Sequence, residues 1–143
     1  PSSQLNASLR GVLAQRLLRK VCPECSVQRP INDAESRFTK LPMGTSVRFA
    51  NALTAEEKQK RKEEGSLCTR CGGTGYQGRI GTYELMKVNR AIREAVKHEK
   101  STHEIEAIAE ENGMLTLKTY AVDLIAKQLT TISELQKICN TDD

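Results

Sequence analysis

Two C-x-x-C pairs constrain this chain more than any other feature: "CPEC" with Cys22 and Cys25, and "CTRC" with Cys68 and Cys71, 42 residues apart. A C-x-x-C turn aims two sulfurs at one point. Two such turns supply the four thiolates that a tetrahedral zinc ion takes at about 2.3 Å. Soft sulfur donors favour zinc or an iron–sulfur cluster over magnesium or calcium. The spacer is longer than the usual ribbon spacing of about 15–20 residues and reads as an insertion. Gly72, Gly73 and Gly75 follow the second pair and permit tight turning with positive φ. Disulfides, redox chemistry and an iron–sulfur cluster are the alternatives to zinc. Nothing else in the chain suggests an oxidising compartment, and no thioredoxin-like βαβ pattern surrounds either pair. Ligands alone do not separate zinc from iron. With four protein ligands no coordination position stays open, so a zinc ion here is structural. Cys139, the fifth cysteine, reads as an inert thiol on an apolar helix face.

The rest of the chain offers a core without aromatic bulk. Aromatics make up 3% of the 143 residues and Trp is absent, so the interior must be aliphatic, which suits helices. No run of about 18 apolar residues is present to span a membrane. The formal charge of +4 resides entirely in residues 1–21, which hold Arg10, Arg16, Arg19 and Lys20 and no acid. Residues 22–143 are balanced, which argues against a nucleic-acid surface spread over the protein. Arg19, Lys20 and Arg70 lie near the cysteines in sequence and could offset the charge of a thiolate site.

Leu9, Val12, Leu13 and Leu17 recur at three- and four-residue steps, and predict an amphipathic helix over residues 5–20, ended by Pro23. A targeting presequence or a membrane-surface helix are the other readings of that basic segment. The chain does not start with Met and reads as a fragment. Residues 22–53 show turns and at most one short strand. Thr54 and Glu57 form a capping box for a charged helix that stops at Gly65. Residues 76–87 read as extended. Short helices follow. Asn89 caps the first, which turns Ile92, Ala95 and Val96 inward. Ser101 and Glu104 box the second, with Ile105, Ile108 and Ala109 inward and Gly113 as its stop. The third starts near Leu115 and buries Leu117, Tyr120, Ala121, Leu124 and Ile125. Thr131 and Glu134 box the last, with Ile132, Leu135 and Ile138 inward.

No catalytic constellation is evident. "GGTGYQGR" lacks the Lys-Ser/Thr of a phosphate loop and follows cysteines rather than a strand. His98 and His103 sit in a polar stretch and read as exposed. The second functional reading is a stand-alone zinc-ribbon adaptor for protein or nucleic acid. It has only Phe38, Phe49 and Tyr76 to offer near the knuckles.

Three stretches in order, "GVLAQRLLRKVCPEC", "CTRCGGTGYQGRIGTYELM" and "GMLTLKTYAVDLIAKQLTTISEL", resemble the C-terminal region of the type IV pilus assembly and type II secretion traffic ATPases. The resemblance covers about residues 8–138 and is weakest from Ser26 to Ser66. It implies a mainly α fold with a small β component. A tetracysteine zinc module is inserted between a helix and a strand of a RecA-like core, and a C-terminal helical bundle follows. The implied divisions are a core helix segment 1–21, a zinc module 22–75, a core strand 76–88 and a helical subdomain 89–143.

By position, Cys22, Cys25, Cys68 and Cys71 carry over as metal ligands. The family's nucleotide motifs lie upstream, so ATP and Mg²⁺ belong to the parent protein and this chain is expected to be no enzyme. The implied partners are the rest of the ATPase, neighbouring subunits of a hexamer and an inner-membrane platform protein, with no nucleic acid. The implied location is cytoplasmic, peripheral at the bacterial inner membrane. Gln128 stands where the family often has glycine before the final helix, which questions that turn. Residues 79–86, cut off from a core sheet, would present an unpaired edge.

Overall fold

The computed structural model describes residues 11–87, 90–111 and 116–141. Within them the chain is mixed α/β. Strand β1 runs Gly11–Val21, β2 Val27–Pro30, helix α1 Asp33–Thr39, β3 Ser46–Phe49, α2 Ala55–Glu64 and β4 Tyr76–Lys87. Helices α3 (Arg90–Lys97), α4 (Thr102–Glu111), α5 (Leu117–Ala126) and α6 (Ile132–Thr141) follow. One two-stranded sheet pairs β1 with β4 and another pairs β2 with β3.

The first segment corrects the expected helix: residues 11–21 are strand. The helical spacing of Leu13 and Leu17 was coincidental. In a strand consecutive side chains face opposite ways. Leu18 is accordingly 2% exposed while Leu17 is 57% exposed. Pairing with β4, about 65 residues later, decides the conformation, and local periodicity cannot register such a partner. Residues 5–10 of the expected helix lie outside the described residues, as do the Asn89 cap and the Gly113 stop.

The chain divides into two compact units, and the division cuts β1, β4 and α5. The larger comprises Leu17–Gly81 and the chain from Ala121 onward. Its core is aliphatic: Leu18, Ile31, Val47, Ala121, Ile125, Ile132 and Leu135, with Phe38, Phe49, Ile80 and the half-buried Cys139 against it. The region between the cysteine pairs is more ordered than turns alone. β2 and β3 are antiparallel, with Val27 opposite Phe49 and Pro30 opposite Ser46. Between them Asn32 and Glu35 form a full capping box for α1. The α2 box of Thr54 and Glu57, and the left-handed Gly65 that ends the helix, match the sequence reading.

The C-terminal helix is tied to β1 by charge. Glu134, 5% exposed, accepts from the Arg19 backbone N–H at 2.7 Å and from Arg19 Nε and Nη2, each at 3.2 Å. Lys137 Nζ lies 3.0 Å from the same carboxylate. The expected Thr131–Glu134 box is therefore half made. Thr131 Oγ1 accepts from the Glu134 N–H, but the carboxylate turns to Arg19. The Arg19 guanidinium lies 4.0 Å from the centre of the Tyr76 ring. The Tyr76 hydroxyl reaches Thr131 Oγ1 at 2.9 Å.

Helix α5 ends in a left-handed turn. Gln128 has φ of 65°, its N–H donates to the Ile125 carbonyl, and the Leu129 N–H donates to that of Leu124. This double bond pattern is a Schellman end, for which glycine is the usual residue.

The smaller unit holds the described parts of Pro1–Arg16 and Thr82–Tyr120. Thr82 is buried and donates to the Arg16 carbonyl. Tyr83 and Tyr120 meet edge to face at 5.4 Å. Ile92 and Ala95 bury one face of α3, and Ser101 Oγ caps α4 at the Glu104 N–H. His98 and His103 are exposed, as expected.

Two outcomes are expected. Gln128→Gly relieves the left-handed backbone and stabilises the chain by about 0.5–1 kcal/mol, read from the urea midpoint. Glu134→Gln costs about 1–3 kcal/mol at neutral pH, because it leaves Arg19 without its charged partner. Burial opposes ionisation of Glu134, yet Arg19 and Lys137 more than offset it and hold its carboxyl below the ordinary value of 4.5. A depressed folded pKa contributes stability in full above the unfolded value and loses it as pH falls through the folded one. The native chain should therefore weaken below pH 4.5, and the Gln variant should show a shallower acid limb in the same unfolding series.

Candidate metal centre

β1 delivers Cys22 as the residue after its last, and Pro23 starts the turn that brings Cys25 back. The Ser26 N–H donates to the Cys22 carbonyl at 3.3 Å. The second pair repeats this step: the Gly72 N–H donates to the Cys68 carbonyl at 2.9 Å. Two equivalent knuckles thus arise from unrelated neighbours. Gly72, Gly73 and Gly75 have φ of 66°, 89° and 85°, the conformation their positions suggested.

The knuckles are joined by backbone. Cys22 N–H donates to the Gly75 carbonyl at 2.9 Å, and Leu53 N–H to the Gly73 carbonyl at 2.9 Å. Gly75 is irreplaceable on space as well as angle. A Cβ there would stand 3.0 Å from the Ala52 nitrogen and 3.2 Å from its Cα. At Gly72 the corresponding space is open.

The structure brings Cys22, Cys25, Cys68 and Cys71 together, with all four Sγ atoms within 4.8 Å of one another. Cys22 and Cys68 sulfurs are 3.8 Å apart, and those of Cys25 and Cys71 are 3.5 Å apart. A tetrahedron with bonds of about 2.3 Å sets its sulfurs about 3.8 Å apart. Donor type, number and separation therefore fit one metal ion. Cys22 is buried and the other three are half-buried. Cys139 takes no part and packs on the aliphatic core.

The thiols are already biased electrostatically. Burial pushes the Cys25 thiol well above its ordinary value, and its hydrogen bonds to the other sulfurs add to this. Burial also opposes ionisation of Cys71. The backbone N–H groups of Gly75 and Gly73 and the Cys25 and Cys68 thiols overcome it, and bring Cys71 down to about 6. The Gly75 N–H lies 3.4 Å from that sulfur. The turn that aims Cys71 inward also favours its thiolate, the form that binds metal.

The cations near the cysteines have separate fates. Arg70, inside the second pair, reaches Glu24, inside the first, at 3.7 Å and Gln77 at 2.7 Å. That ion pair is half exposed on both sides and contributes little stability. Arg19 is engaged with Glu134. Lys20 is exposed. The Arg19–Glu134–Tyr76 cluster was not foreseen. Its only signal in sequence was the Glu134 of a capping box, which carries no hint of a partner 115 residues away.

A profile described as "Type II/IV secretion system protein" matches residues 1–137. The chain is 37% identical to the Type IV pilus assembly ATPase PilB of Thermus thermophilus over 131 residues, covering 92% of this chain and 14% of that protein. It is 32% identical to the Type II secretion system protein E of Aeromonas hydrophila over 138 residues, covering 96% of this chain and 25% of that one. A 30% match to the Type IV pilus assembly ATPase TfpB of Acinetobacter baylyi covers 92% and 21%. The chain thus spans a quarter or less of the length of these curated relatives.

Gly75→Ala should cost about 2 kcal/mol or more, since a left-handed alanine and a backbone clash combine. Gly72→Ala should cost only about 1–2 kcal/mol, from the backbone angle alone. Urea unfolding of both variants with metal present measures the difference.

Proposed function

Because this chain belongs to the type II/IV secretion system protein family, we propose that it is the C-terminal zinc-binding part of an ATPase that powers type IV pilus assembly or type II secretion. Its role there is structural and docking. The observation that carries this reading is the four-sulfur cluster, which lies within the stretch matched to relatives named for pilus assembly and type II secretion. Four protein thiolates suit a closed zinc site that holds a fold and leave no place for substrate.

In this reading β1 and β4 enter and leave the metal module as neighbouring strands and continue into a RecA-like core supplied by the remainder of the parent. ATP and Mg²⁺ bind that parent, in which this chain contacts its own core, neighbouring subunits and a platform protein at the inner membrane. Among the described residues no helix is long and apolar enough to cross a membrane, which fits a peripheral location. Zinc binding would add on the order of 10–16 kcal/mol of apparent free energy to folding of the module. Such a contribution suits a region whose α2 helix buries no residue.

Elemental analysis of the purified chain should give one zinc per chain, and Cys22→Ser with Cys71→Ser should remove it together with the cooperative unfolding of residues 22–75. A folded chain free of metal, or one carrying iron, would overturn the zinc assignment.

A further inference from the structure

An open pocket of about 240 Å³ lies beside the metal knuckles, lined by Arg19, Thr74, Tyr76, Gly78 and Arg79. All five residues belong to the larger unit. We propose that this pocket binds a soluble phosphate-bearing anion.

Its lining contains two arginines and no carboxylate. Among the described residues, the Arg79 side chain makes no ion pair or hydrogen bond. Two cations therefore line a space in which only one has a counter-charge, and an anion there would balance the other.

Arg19 is held ready for such a ligand. Nε and Nη2 are spent on Glu134, and the guanidinium rests on Tyr76. Nη1 lies on the remaining side of the planar group, and no bond to it is made among the described residues. A guanidinium fixed by a carboxylate and a ring loses little freedom when it binds, which favours affinity. Gly78, with φ of 77°, adds no side chain to the lining. Phosphate oxygens suit this pair because arginine presents paired N–H donors.

The proposal does not depend on which metal the cysteines hold. It is tested on the metal-loaded chain by calorimetric titration with inorganic phosphate and with pyrophosphate at low ionic strength. Saturable binding is expected, tighter for pyrophosphate. Arg79→Ala should weaken it at least about tenfold, and added salt should weaken it further. Arg79 is exposed, so circular dichroism of the variant should match the parent chain. Lys60→Ala, on the exposed face of α2, should leave affinity unchanged.

No saturable heat with either anion would overturn the proposal. Equal weakening by Lys60→Ala would also overturn it, by showing general charge attraction. Binding only to phosphatidylcholine vesicles containing phosphatidic acid would replace the soluble ligand with a membrane. If Arg79→Ala weakens zinc retention and leaves phosphate affinity unchanged, the cations balance the metal centre and the proposal fails.

Discussion

The larger unit depends on the joining of two turns that lie 42 residues apart in the chain. The bond from Cys22 N–H to the Gly75 carbonyl joins the end of β1 to the start of β4, and four sulfurs meet beside it. Everything between them, the β2–β3 hairpin with α1 and then α2, is a closed excursion from that junction. The excursion supplies Ile31 and Val47 to the core. Its charged helix supplies nothing to it. Closing so long a loop is entropically costly, and a small aliphatic core offsets that cost poorly. A metal ion on the four sulfurs, as proposed, would offset that cost.

A second junction extends the first toward the C-terminus. Thr130 Oγ1 donates to the Arg19 carbonyl, and the Val21 N–H donates to the carbonyl of Leu129. The turn between α5 and α6 thus adds to β1 much as a strand would. Glu134 and Tyr76 then clamp the Arg19 side chain. Strand, knuckle and final helix are linked through one arginine, so a disturbance at the metal centre has a short covalent and hydrogen-bonded route to α6. The route is legible as geometry; coupling along it is a matter of measured energies.

The resemblance to secretion ATPases and the residues' own chemistry point to the same four cysteines as candidate metal ligands, and both read them from the same two C-x-x-C motifs. The chemical argument adds the tetrahedral fit of four sulfurs, and the family argument adds the order of three motifs. Gln128 illustrates how the two complement each other. The family pattern marked the position as one where glycine is common, and the structure supplies the reason in a left-handed backbone that glycine adopts without strain.

Local chemistry determined part of this protein from its sequence alone. The two C-x-x-C pairs, the glycines behind the second, the Thr54–Glu57 box and the Gly65 stop depend on residues a few positions apart, so each could be read directly. Asn32 and Glu35 carried an equally local signal for α1, which the surrounding turn residues obscured. What distant pairing decides could not be read in this way. Residues 11–21 have spacing compatible with a helix and become strand only because β4 lies alongside. Glu134 abandons its local capping partner because Arg19 offers a full charge and three donors. In both cases a contact across the fold outweighs a local preference that differs by only a few tenths of a kcal/mol per residue between the alternatives. Tertiary structure alone decides such choices.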